Sequence, residues 1–269
     1  MSLVILIFFT SITSYAESGR DISITKWIVN STVKDNGDLE VEETITFKFN
    51  SEFDGVFRDL VLNKTDGIED LKVFKVIHNE EIEYKRVQSA EDGDDHVYTA
   101  KKDSDKIQVK IYNHSKNQNK TYRFKYILKN VSKRYYDTGE LYYRFLNDDN
   151  NIPIDYFRVG IRFDNNILAD KEDRIKMFGH GPQGGNIKFE DDDLISMEIE
   201  GLNKFEYLEV RVLFPVDFIS KSTKIVKENA FDNIIHEELE YSEQIEKREA
   251  KKLERKNLFN SISKSISIS

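Results

Sequence analysis

The sequence predicts a mainly β protein, an antiparallel β-sandwich built as one elaborated or two small sandwiches, followed by a charged α-helix. Three observations predict it. Apolar and polar residues alternate with period two in stretch after stretch between Leu39 and Phe214. Asn-Gly and Asp-Gly turn signals lie between these stretches, with no helical pattern among them. Beyond about Thr223 the chain has no Pro or Gly and is rich in Glu, Lys and Arg.

The elements follow in order. Met1 to Ala16 carry no charge, and Leu3 to Phe9 form an unbroken apolar run. Ser14 and Ala16 are the small residues that signal peptidase accepts, so a leader over 1–16, cut after Ala16, is expected. It lacks the usual opening Lys or Arg, and the run is too short to span a bilayer. A β domain is expected over 19–218, with Trp27 in its first strand. Leu39, Val41, Ile45, Phe47 and Phe49 face one way, and Glu40, Glu42, Thr44, Thr46 and Lys48 the other. Similar alternation recurs at Ile107–Ile111, Tyr122–Leu128, Val159–Phe163, Ile195–Ile199 and Leu208–Phe214. Such strands bury one face and wet the other, as antiparallel sheets do, and a parallel sheet with crossover helices is not expected. Asp35-Asn36-Gly37-Asp38, Asp66-Gly67, Asp92-Gly93 and Asn113 to Asn119 read as turns or loops. A largely solvated helical connector is expected over 223–257, with a tail over 258–269 that is too short and too polar to cross a membrane.

Composition narrows the function. The 269 residues include 40 basic and 49 acidic side chains, a net charge of -9, which argues against a general nucleic-acid binder. With no Cys there is no disulfide, no thiol nucleophile and no Cys-ligated metal. No phosphate loop or nucleophile elbow is present, the five His are scattered, and no cofactor is expected. Phe178 to Gly185, with His180, reads as a tight glycine turn, or alternatively as a ligand loop with His180 as donor or base. Glu91 to Asp95, Asp148-Asp149 and Asp191 to Asp193 lack calcium-loop spacing and read as solvated loops. Glu42 and Glu43, adjacent on one strand, point to opposite faces and cannot act as a glycosidase pair. Tyr135, Tyr136, Tyr142, Tyr143 and Phe145 read as core packing, or alternatively as a sugar or peptide platform.

Several segments in order also resemble a known family. They are Asp35 to Phe47, Phe53-Asp54-Gly55-Val56-Phe57-Arg58-Asp59-Leu60, Tyr126 to Val131, Tyr136-Asp137-Thr138-Gly139-Glu140-Leu141-Tyr142-Tyr143, Ile152-Pro153-Ile154, Gly179-His180-Gly181 and Val210 to Pro215. Over about Ile22 to Phe214 this series resembles the N-terminal domain of the predicted membrane proteins of domain-of-unknown-function family 2207. The resemblance implies a bacterial, exported, extracytoplasmic β domain, a helical connector and then membrane helices. It carries no established catalytic residues. Tyr143 stands where the family tends to have Trp, and the sequence stops where the first membrane helix of the family begins, so membrane attachment is expected through a helix missing here. The expected role is non-enzymatic contact with a protein or cell-envelope component, with a carbohydrate- or cell-wall-active module as the alternative. Arg58, Asp59, Tyr142, Tyr143 and His180 are the candidate contact residues. A surface pairing of Arg58 with Asp59 is the plainer reading of that segment.

Overall fold

The computed structural model describes residues 21–164, 174–191 and 193–266, with the side chains of 259–266 excepted. The expected leader at 1–16, Asp192 of the acidic run and the end of the tail at 267–269 lie outside the described residues. The strands are β1 (Ile22–Val33), β2 (Leu39–Val61), β3 (Ile68–Ile77), β4 (Glu80–Glu83), β5 (Lys85–Arg86), β6 (Val97–Lys102) and β7 (Lys106–Leu128). After them come β8 (Lys133–Arg134), β9 (Gly139–Leu146), β10 (Ile154–Phe163), β11 (Lys176–His180), β12 (Asn186–Asp191), β13 (Leu194–Leu202) and β14 (Leu208–Phe214). One helix, α1 (Phe231–Ile266), closes the described chain.

The larger sheet runs β12-β13-β10-β1-β2-β7-β3-β4, with β5 and β6 attached beside β7. The smaller runs β11-β14-β9-β8. The expected alternation holds: Leu39, Val41, Ile45 and Phe47 are buried on β2, and Tyr122, Phe124, Tyr126 and Leu128 on β7. Asp35 to Asp38 forms the expected β1–β2 turn, with Gly37 at φ +86° and its N–H donating to the Lys34 carbonyl. One buried apolar cluster extends from Ile24 to Ile219 and draws on both sheets.

Two expectations on pairing need correction. β1 pairs with β10 in parallel, Trp27 opposite Phe157 and Val33 opposite Phe163, so the larger sheet is mixed. No crossover helix is required, because the intervening chain makes the rest of the β2–β7 ribbon and β9 before returning. Asn113 to Asn119 is not a loop; it lies within β7, paired with β2. The reason is a corner. Glu43 and Arg58 both belong to β2, and fifteen residues of straight strand would hold them about 50 Å apart. Their charged groups instead lie 2.8 Å apart. The β2–β7 ribbon therefore folds back on itself at the register shifts between Phe49 and Glu52 and between Phe53 and Gly55. Its distal half, β2 from Phe53 to Val61, then lies beside the smaller sheet, where the Tyr143 hydroxyl donates to the Val61 carbonyl at 2.8 Å.

The helix also differs from its expected bounds. It starts at Phe231, not 223, because Asp137 caps it: both carboxylate oxygens accept backbone N–H groups, from Ala230 at 2.9 Å and Phe231 at 3.2 Å. It continues through the stretch read as a tail to Ile266.

The corner gives a direct test. A Cβ on Gly55 would sit 2.0 Å from the backbone oxygen of Ile111. Gly55→Ala is expected to cost about 1–3 kcal/mol of folding stability through forced separation of the two strands, measurable as a lower urea midpoint with an unchanged slope.

Candidate functional site

The fold-back buries a polar cluster. Glu43 occupies an inward position between Val41 and Ile45 and is fully buried. Arg58 clasps it through Nε to Oε2 and Nη2 to Oε1, both at 2.8 Å. Trp27 Nε1 donates to Oε2 at 3.1 Å, and the Tyr126 hydroxyl donates to Oε1. Arg58 also donates to the Phe145 carbonyl at 3.2 Å and to the Asp59 carbonyl, and its guanidinium lies 4.6 Å from the Trp27 ring centre. Burial opposes the charge on Arg58, but the Glu43 carboxylate outweighs it and holds the guanidinium protonated. Burial pushes the Tyr126 hydroxyl upward, and Glu43 adds to the effect, so it stays neutral and donates.

Above this cluster opens a groove of about 490 Å³. Its apolar lining includes Ile22, Trp27, Phe53, Phe57, Leu146 and Ile152. Its polar lining includes Arg58, Asp59, Asn147 and Asp149. Lys106 bridges Asp59 at 2.7 Å and Asp149 at 2.6 Å, and these bonds hold its ammonium above the ordinary lysine range. The expected surface pairing of Arg58 with Asp59 is thus corrected. Neighbouring strand residues point to opposite faces, so Arg58 turns inward to Glu43 while Asp59 turns to Lys106.

A second cluster joins α1 to the smaller sheet. His180 is buried, with Nε2 2.8 Å from Glu238 on α1 and Nδ1 3.6 Å from Glu209 on β14. Arg211 on β14 donates to Glu238 at 2.9 Å, to Glu237 at 3.1 Å and to Glu140 on β9 at 2.7 Å. The Tyr142 hydroxyl donates to Glu209 at 2.9 Å, and the rings of Tyr142 and Tyr241 flank the imidazole at 5.8 and 4.8 Å. Together these groups line a cavity of about 200 Å³. Burial disfavours the imidazolium, but the nearby Glu209 carboxylate and the hydrogen bond to Glu238 outweigh it and push its pKa up to about 9. Burial likewise disfavours the Glu209 carboxylate, yet His180, Lys64 and Tyr142 bring its pKa down to about 2.

The candidate residues therefore separate. Arg58 and Asp59 line the groove; Tyr143 is buried in the adjoining core; Tyr142 and His180 belong to the helix junction. Phe178 to His180 is strand β11, not part of a turn; the turn follows it, with Gly184 at φ +99°. Of the tyrosine run, Tyr135 and Tyr143 are buried and Tyr136 is exposed. Sequence reasoning missed Glu43, Trp27 and Tyr126 as one cluster, although a carboxylate at an inward strand position was a visible signal. Among the described residues no group of three or more His, Asp or Glu is placed to hold a metal ion. Among them, too, no helix is long and apolar enough to cross a membrane.

Two variants test these clusters. Arg58→Met strands a buried carboxylate and is expected to cost about 3–5 kcal/mol, with Glu43→Leu added in the same chain recovering most of it; urea unfolding of single and double variants reads this. A group whose folded pKa is raised stabilises the fold fully below its ordinary value and ceases to as pH passes the folded value. The native chain should therefore lose thermal stability between pH 6.5 and about 9 as His180 loses its proton. That slope should be reduced in His180→Gln, measured as Tm against pH.

Comparison with known proteins follows the same outline as the fold. Residues 23–214 match the model of a family described as "Predicted membrane protein (DUF2207) N-terminal domain". No curated protein matches the chain. Similar solved structures include an M1 zinc metallopeptidase from Deinococcus radiodurans, at 10% identity and a TM-score of 0.37 over 71% of this chain and 42% of that one. A putative protease from Parabacteroides distasonis gives 9% identity and 0.42 over 72% and 40%. Yeast LTA4 hydrolase in complex with bestatin gives 11% and 0.44 over 71% and 28%. The chain thus spans less than half the length of each, and likenesses this slight carry no argument about activity.

Proposed function

The chain belongs to the DUF2207 family of predicted membrane proteins, whose N-terminal domain it carries, and on that premise we propose that it is a non-enzymatic, extracytoplasmic contact domain of a membrane-associated protein. In this reading a leader over 1–16 exports the chain, the β domain over 19–218 makes the contact, and the helix connects it to the membrane side. The observation that carries the reading is the groove above Arg58. Its volume of about 490 Å³ lies in the range of ligand-binding clefts. Rings and aliphatic side chains form much of its lining, and its main charges are already matched, Arg58 with Glu43, and Asp59 and Asp149 with Lys106. A surface of this kind offers burial and shape to a partner. Among the described residues its lining includes no Ser, Thr, Cys or His, the usual nucleophiles and base of covalent catalysis.

The second reading, a carbohydrate- or cell-wall-active module, draws on the helix junction, where His180, Glu209 and Glu238 meet Tyr142 and Tyr241. Two facts favour the first reading over it. Both imidazole nitrogens already face carboxylates of the chain. The cavity of about 200 Å³ is also smaller than the usual ligand cleft.

Protease added to intact cells carrying the full chain tests the proposal. The domain is expected to be cut without lysis, and the protein to sediment with membranes. Protection until lysis, with recovery in the cytosolic fraction, would overturn it.

A further inference from the structure

One wall of the groove is a sheet edge that, among the described residues, has no strand paired to it. β1 pairs with β2 from Val33 opposite Leu39 to Ile22 opposite Phe49, and the Asn50 N–H donates to the Asp21 carbonyl at 2.9 Å. Past that point β2 continues to Val61 with β7 on one side and, among the described residues, no strand on the other. Successive residues of an antiparallel strand direct their N–H and C=O groups alternately to either side. Alternate backbone groups between Phe53 and Asp59 therefore face the side without a strand, the Asp59 carbonyl among this stretch being already taken by Arg58. That side is the groove, since residues of β1 and of the segment 146–152 line it and none from β7 does.

Outer edges of the same sheet are guarded differently. β4 consists of Glu80, Glu81, Ile82 and Glu83, and β12 carries Lys188, Glu190 and Asp191. Short, charged strands of this kind repel a further strand. The edge at Phe53–Asp59 instead presents Phe53, Val56 and Phe57 to the groove, and Phe57 is 54% exposed. Its charged lining leans acidic by one charge, Asp21, Asp59 and Asp149 against Lys204, since Lys106 behind the lining offsets one of the two carboxylates it bridges and Arg58 is neutralised by Glu43. Asp59 Oδ1 is buried with no hydrogen-bond partner, an acceptor lacking a donor.

We propose that the open edge of β2 at Phe53–Asp59 docks an extended, neutral-to-basic peptide segment of another protein as an added strand, continuing the line of β1 along β2. The proposal rests on the contact-domain reading and names its partner class. Backbone pairing supplies affinity, and alternate apolar side chains of the peptide enter the groove against Phe53 and Phe57.

The test uses the full chain and an eight-residue capped peptide alternating valine and lysine, with binding followed by calorimetry. Three comparisons accompany it: the same peptide N-methylated at every second backbone nitrogen, a valine–glutamate version, and the variant Phe57→Lys, whose exposed position tolerates the change. Each is expected to weaken binding about tenfold or more, as loss of several hydrogen bonds or of charge match implies. Equal binding of the N-methylated peptide would overturn strand addition and leave the groove as a contact surface. No binding of the parent peptide would also overturn it, whereas the contact-domain reading answers to the protease experiment. A dimer of the chain that Phe57→Lys abolishes would assign the edge to a second copy and equally overturn the proposal.

Discussion

The ion pair between Glu43 and Arg58 sets the shape of the whole sandwich. Two residues of one strand can meet only if that strand turns back, so the pair and the corner at Phe49–Gly55 require each other. Burying two charges is costly unless every lone pair and N–H finds a partner. Here Trp27, Tyr126 and the Phe145 carbonyl complete the set. They come from β1, β7 and β9, so satisfying the pair fixes how three other strands stand around β2. Bonds to partners on three strands hold the fold-back by direction as well as by volume.

The helix junction repeats this logic at the periphery. Arg211 and His180 face Glu140, Glu209, Glu237 and Glu238, so positive groups of the sheet hold acidic groups of α1 and of β9 together. Ile234 and Ala230 pack beside Tyr135 and Leu213, which adds apolar contact to the charge network. The helix stands through these contacts and its Asp137 cap, since its remaining surface is largely exposed and its own apolar residues are sparse. Both clusters consume their polar groups internally. The groove differs: among the described residues no strand pairs with its edge, and its rings line an open cleft.

Much of the fold was legible in the sequence because a half-buried strand writes its orientation into every second residue. Leu39 to Phe49 and Tyr122 to Leu128 are buried as the alternation requires. The same rule placed Glu43 inward and Arg58 and Asp59 on opposite faces, yet adjacency in sequence invited a pairing of Arg58 with Asp59. What alternation cannot contain is distance in the chain. His180 finds Glu238 58 residues later, and Tyr126 meets Glu43 across 83. The parallel pairing of β1 with β10 was hidden for the same reason, since a return through further strands leaves no helical crossover to read. The corner left only weak marks, Gly55 and a polar stretch at Asn113–Asn119, which look like a turn because turns and bent strands draw on the same residues.

The long helix has a mechanical meaning. From Ser242 to Ile266 it extends about 37 Å as a rod. Its root is clamped, by Asp137 at the tip and by Glu238 to Arg211 and His180 one face along. A pull or torque at its far end is received by β14 and β9. β9 in turn supplies the Phe145 carbonyl that holds Arg58. Strain at the rod's far end thus has a continuous bonded route to the floor of the groove, and the lever and the cleft are parts of one frame.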